Sequence, residues 1–244
     1  MREAEEKWGS PGDGARRFAA GRLLRRLSHS GDLSIASKAG SEQTYDPRHR
    51  WFPETSWPDP LHKPLVSAVT LTRQYLSTYG PATVKDVAHF FGARIRDTRS
   101  WVEALDPKNG LVEVVCGGRP GLIALAEDKD MLLEPLPGGS AQWPLRFLPM
   151  WEAMLMAHSD KSWTVPIEAE RKAVWRKSAV VAATVVHRGR IVATWSQRAK
   201  RRHLDVEVQP LSGWRGRHHL GGVKQEALAV ATHLGLEDAM VTVA

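Results

Sequence analysis

Cysteine is almost missing: among 244 residues only Cys116 is one. A single thiol makes no internal disulfide and, by itself, no Cys-rich metal cluster. It reads as a small buried apolar residue in a β-strand. No apolar run approaches the roughly 20 residues that cross a bilayer. The charged start MREAEEKW has no apolar core of a signal peptide. A soluble cytoplasmic protein is expected. Neither HExxH nor H-x-E occurs, so neither a metal nor a cofactor is expected. Acid is also short. Lys and Arg number 34 against 27 Asp and Glu, a net charge of +7 with a pI near 9.7. That balance favours polyanion partners and says little about fold. Phenylalanine and tyrosine are few, five and three, whereas there are ten tryptophans. Most of these read as packing residues, with one or two available to stack on bases.

The stretch YLSTYGPATVKDVAHFFG, residues 75–92, is the most informative local signal. Leu65, Val69, Leu76 and Tyr79 recur at helical spacing. Gly80-Pro81 then stops that helix, because proline lacks the amide donor and restricts the residue before it. Thr83 stands at an N-cap position with Asp86 three residues on, a capping box with Asp in place of Glu. Val84, Val87, Ala88 and Phe91 make one apolar face, and Gly92 suits a C-cap. A third helix is expected up to Leu105, with Asp97 or Thr98 as its N-cap and Trp101, Val102 and Leu105 inward, stopped by Asp106-Pro107. LVEVVC and GLIALA flank a glycine-rich turn and read as a hairpin. Three helices and a two-stranded wing, in that order, are a winged helix, whose last helix presents its N-terminal residues to DNA bases.

Five segments follow from composition. Residues 1–14 form a loose start. Residues 15–63 hold a basic helix with Phe18, Leu23, Leu24 and Leu27 inward, then a hairpin and a proline-rich linker; this is a partial winged helix. Residues 64–126 are the winged helix proper and 127–142 an acidic linker. Residues 143–244 are a β-rich subdomain. In the last, AVVAATVVHRGRIVATWS reads as one hairpin with Arg188-Gly189-Arg190 at its tip, HLDVEVQPL as a strand, GGVKQEALAVATHLGL as a helix and AMVTVA as a strand. The fold class is α+β, with tandem winged-helix units (three helices plus a β-wing) packed with a C-terminal β-rich subdomain.

Positive charge concentrates late. From Arg171 to Lys224 there are thirteen Lys and Arg against Asp205 and Glu207 alone. Candidate DNA contacts are Arg94, Arg96, Thr98 and Arg99 at the third helix, Arg119 in the wing turn, Arg188 and Arg190 at the hairpin tip, and Arg198, Lys200, Arg201 and Arg202 in its flank. Double-stranded DNA is the expected partner, bound by a monomer. His158, His218 and His219 read as surface or packing residues.

Three phrases in this order, YLSTYGPATVKDVAHFFG, LRFLPMWEAMLMAHSDKSW and TVVHRGRIVATWS, resemble the winged-helix DNA-binding family that includes the AlkZ- and YcaQ-like crosslink-repair DNA glycosylases. The likeness runs over about residues 15–243. Leu148-Pro149, Trp151 and Glu152, and the run Gly189 to Trp195, carry it most specifically; the family more often has Asp where Glu152 stands. The resemblance implies tandem winged helices around a β-rich core and a concave DNA-binding surface. For the glycosylase members it implies hydrolysis of the N-glycosidic bond of alkylated bases, with a Gln-x-Gln or Gln-x-Asp motif positioning the water. Neither form occurs here: Gln43, Gln74, Gln142, Gln197, Gln209 and Gln225 each lack the partner two residues on. The catalytic residues therefore stay unassigned, and Glu152 reads as a helix cap or ion-pair partner. An active glycosylase, a transcription regulator and a protein-binding scaffold remain the alternatives.

Overall fold

The computed structural model describes residues 13–40, 42–55, 63–105, 110–139 and 142–244. Trp8, Trp57 and the Asp106-Pro107 stop lie outside the described residues. The chain divides into two compact units, Met1–His62 and Lys63–Ala244.

In the first unit, α1 (Asp13–His29) leads into an antiparallel hairpin of β1 (Leu33–Ala39) and β2 (Glu42–Pro47), followed by a single-turn helix, α2 (Arg48–Trp51). Helix and hairpin follow the sequence expectation. The inward face does not: Phe18 and Leu23 are 68% and 58% exposed, and only Leu24 and Leu27 are partly covered. A helix of mean polar character with one hairpin beside it offers too little apolar surface to bury four large side chains.

The second unit opens with α3 (Pro64–Tyr79), α4 (Val84–Phe91) and α5 (Ile95–Leu105), then the hairpin β3 (Leu111–Cys116) and β4 (Arg119–Leu125). Proline at the first position suits the start of α3, where its missing donor is not needed. Pro81, with no amide donor, cannot continue it, and glycine is needed just before, because a Cβ at Gly80 would sit 2.4 Å from the Leu76 carbonyl oxygen. The capping box on α4 forms in full: the Thr83 hydroxyl accepts from the Asp86 amide, and the Asp86 carboxylate accepts from the Thr83 amide at 3.0 Å. Tyr75, Leu76, Ala82, Val87 and Leu125 are buried together between the helices and β4. Ala82 also pairs with Ile123, so the turn between α3 and α4 lies along the hairpin. The third helix starts at Ile95, three or four residues earlier than a cap at Asp97 or Thr98 implies. Cys116 is exposed rather than buried, because it closes β3 beside the open Gly117-Gly118 turn.

The acidic segment after β4 is not wholly irregular; it carries a short helix, α6 (Lys129–Leu133). The β-rich region is a five-stranded sheet in the order β11-β10-β9-β8-β5. Its strands are β5 (Arg146–Leu148), β8 (Thr184–His187), β9 (Arg190–Ala199), β10 (His203–Pro210) and β11 (Asp238–Val243). All neighbours are antiparallel except β10 and β11, which helix α9 (Arg217–His233) connects in parallel. Leu204, Val206 and Val208 alternate onto one face of β10 and meet Val223, Ala227 and Ala231 of α9. Between β5 and β8 the chain forms α7 (Ala153–Ala157), α8 (Glu168–Val174) and a two-residue ladder of β6 (Trp175–Arg176) with β7 (Val180–Val181). The long hairpin of the sequence is therefore divided: Val180-Val181 pairs with β6, and only Thr184–His187 pairs with β9.

Candidate nucleic-acid interface

The helical part is fixed to the sheet region by one buried acid. Asp86 is 3% exposed. One carboxylate oxygen serves the α4 cap; the other accepts from the Ser159 amide at 2.8 Å and its hydroxyl at 2.7 Å. Burial opposes ionisation of Asp86, but the His158 ring, 3.8 Å away, and the hydrogen bonds from Thr83 and Ser159 outweigh it. Its pKa falls well below the usual carboxylate range. Tyr75 donates to the Ala157 carbonyl oxygen at 2.9 Å in the same seam. Glu152 caps α7, accepting from the Met154 amide at 3.4 Å, which is the structural role its sequence position indicates.

On this frame the expected contacts separate into groups. Arg94, Arg96 and Arg99 project from the start of α5 and are exposed. Arg94 and Arg96 share Asp97, at 2.8 and 3.4 Å, while Arg99 has no partner among the described residues. Thr98 is fully buried and its hydroxyl donates back to the Arg94 carbonyl oxygen, so its side chain has no access to a ligand. Arg119 is committed to packing: it pairs with Asp160 at 2.8 Å, donates to the Ser162 hydroxyl and lies 4.1 Å over the Trp163 ring. That fastens the β3–β4 turn to the segment after α7.

The hairpin tip and its flank do not form one surface. They occupy opposite ends of β9, about 30 Å apart at the usual rise of a strand. At the tip, Arg188 and Gly189 both take positive φ, 50° and 74°, the geometry of a two-residue turn that matches strand twist. Arg188 donates to the Pro137 carbonyl oxygen at 2.6 Å and lies over Trp143. Arg190, Arg215 and Arg217 are exposed, and their side chains have no ion-pair partner among the described residues. No acid occurs from Ala182 to Leu204 or from Val208 to Gln225. At the other end, Lys200 pairs with Asp205 at 2.6 Å and Arg202 makes a two-pronged pair with Glu237. Arg198 sits directly across the ladder from Asp205. Only Arg201 stands without an acid there among the described residues. The densest basic run of the sequence is thus largely compensated, by Asp205 of β10 and by Glu237, which immediately precedes β11.

The sequence pattern did not bring three histidines together, but the fold does. His187 ends β8, and His218 and His219 lie in the first turn of α9. His219 Nε2 and His187 Nδ1 are 3.1 Å apart. Burial, then His187, His218 and Arg215, push the pKa of His219 down to about 4; burial and the cations nearby also lower that of His187. These imidazoles line a groove of about 690 Å³ with Pro144, Arg146 and Glu226. They are the described residues arranged to hold a metal. Thirty-one intervening residues hide the pairing of His187 with His219, and only the sheet order could have revealed it.

Of the tryptophans described, none is fully buried. Trp195 stacks on Phe147 at 4.5 Å and donates to the Leu148 carbonyl oxygen, a packing role. Trp151 is half-exposed, with φ of 55°, and its indole donates to the Ala179 carbonyl oxygen.

The arrangement is an α+β chain with a compact three-helix and hairpin module, a five-stranded sheet, and uncompensated arginines gathered at one end of that sheet. The sequence profile of the family described as DNA glycosylase AlkZ-like matches residues 2–234, and the chain belongs to that family. Among solved structures it is similar to the Streptomyces sahachiroi DNA glycosylase AlkZ, with a TM-score of 0.77 and 24% identity over 93% of this chain and 58% of that one. At that identity the likeness concerns the fold alone, and this chain spans little more than half of that protein's length. No curated protein sequence matches the chain. Among the described residues no helix is long and apolar enough to cross a membrane.

Proposed function

We propose that this chain is a double-stranded DNA-binding protein of the glycosylase family, with residues 64–126 acting as a winged helix. The β8–β9 hairpin end of the sheet is its principal phosphate-contacting surface. The observation that carries the reading is the group Arg190, Arg215 and Arg217, exposed beside an acid-free hairpin and without ion-pair partners among the described residues. Counterion release rewards such charges when they meet a phosphate backbone. A two-residue turn carrying Arg188 is narrow enough to probe a minor groove. Arg96 and Arg99 at the start of α5 supply the second contact, as a recognition helix would.

Base hydrolysis is not part of the proposal. It needs a polar group to orient water at the developing sugar cation, and the 244 residues contain neither Gln-x-Gln nor Gln-x-Asp. Glu152, the acid of the family phrase, is occupied as a helix cap. The test is one experiment on purified protein: binding and base release on duplexes with and without alkylated purines, across a salt series. Salt-sensitive binding without release is the expected result. Release above background would establish catalysis by another group, and absence of binding at low salt would overturn the proposal.

A further inference from the structure

We propose that His187, His218 and His219 form a binding site for a first-row divalent metal ion of the zinc type. Three imidazole nitrogens on a tetrahedral zinc, each about 2.0–2.1 Å from the metal, stand roughly 3.3 Å apart, and their ring centres roughly 5 Å apart. Here the ring centres are separated by 4.8 Å (His187–His219), 5.4 Å (His218–His219) and 5.7 Å (His187–His218). One nitrogen pair is at 3.1 Å, and one nitrogen from each ring lies within 4.8 Å of the others. The remaining ångström or so falls to His218, the exposed member, whose side chain has room to turn. Three imidazoles without thiolate or carboxylate favour zinc, copper or nickel over calcium and magnesium.

The elements that supply the ligands are rigid. His187 is held in the sheet by its pairing with β9, and His219 is 2% exposed beneath Trp214, with ring centres 5.1 Å apart. Three protein ligands leave the fourth position directed to the groove, the pattern of an open zinc site. His219 Nδ1 accepts from the Arg215 amide at 3.2 Å, which puts its proton on Nε2, directed at His187 Nδ1. That proton holds the two rings at the spacing a metal would bridge. Metal binding moves it to Nδ1 and gives up the Arg215 contact.

The experiment is a titration of the untagged, chelator-treated full chain with Co²⁺, followed by its visible bands, and with Zn²⁺ by calorimetry. One equivalent bound, with the intense bands of tetrahedral cobalt, is expected. His218→Ala, at an exposed position, should weaken binding at least about tenfold, as should His187→Gln, while the metal-free melting temperature of His218→Ala stays unchanged. His233→Ala, at the far end of α9, should bind as the parent does. Failure of the parent chain to bind either ion, or an affinity in the His218→Ala and His187→Gln proteins as high as the parent's, would overturn the site.

Discussion

The two ends of strand β9 each carry four Lys or Arg residues and have different surroundings. At the Ala199 end, Lys200 and Arg202 are held in ion pairs with Asp205 and Glu237, and Arg198 lies across the ladder from Asp205, which leaves Arg201 without an acid among the described residues. At the Arg190 end, Arg188, Arg190, Arg215 and Arg217 meet no acid in the hairpin or in the approach to α9. Charge density along a sequence is therefore a poor guide to the net charge of a surface: RAKRRH is the more basic run, but Asp205 and Glu237 offset much of it once the sheet forms. A solvated ion pair stabilises little, about 0–1 kcal/mol, yet it removes the net charge that would attract a polyanion.

The largest effect is expected where cations stand uncompensated. Arg190→Ala, Arg215→Ala and Arg217→Ala together should weaken duplex binding about a hundredfold at low salt and reduce the slope of log affinity against log salt by about 2 to 3; fluorescence anisotropy over a salt series measures both. Asp86→Asn should come next, on stability rather than binding, at about 2–4 kcal/mol in a denaturant melt, because it leaves the cap and the Ser159 donors with a weaker acceptor. The same group gives a pH signature. Its folded pKa lies below its unfolded value near 3.9, so its contribution is complete above that pH and declines as the pH falls below it. The Asn variant should lose less stability than the parent below about pH 4.

Arg96→Ala with Arg99→Ala should weaken binding about five- to tenfold, less than the hairpin set because Asp97 already offsets part of that helix start. Lys200→Ala with Arg202→Ala should change affinity by less than about twofold, since both cations already have partners. A larger loss from this pair than from the hairpin set would reverse the comparison.

Short-range features were legible in the sequence. The Thr83–Asp86 capping box, the Gly80-Pro81 stop, the Arg188-Gly189 turn and the alternation of β10 all rest on contacts within a few residues, and each occurs as the local pattern implies. What escaped depends on distant partners. Arg119 looked like a wing contact because Asp160 and Trp163 lie more than forty residues away. Thr98 looked exposed because the start of α5 was placed too late. Val180-Val181 was assigned to the long hairpin because an apolar run does not reveal which strand it pairs with. The three histidines belong to the same class: a strand end and a helix start that meet only through sheet topology.

The most direct test compares the two ends of β9 in one assay. Anisotropy on an undamaged duplex at several salt concentrations should show the Lys200→Ala, Arg202→Ala protein binding like the parent, and the Arg190→Ala, Arg215→Ala, Arg217→Ala protein binding far more weakly with a shallower salt slope. Equal losses from both sets, or a loss confined to the Lys200 and Arg202 set, would contradict the assignment of DNA to the hairpin end.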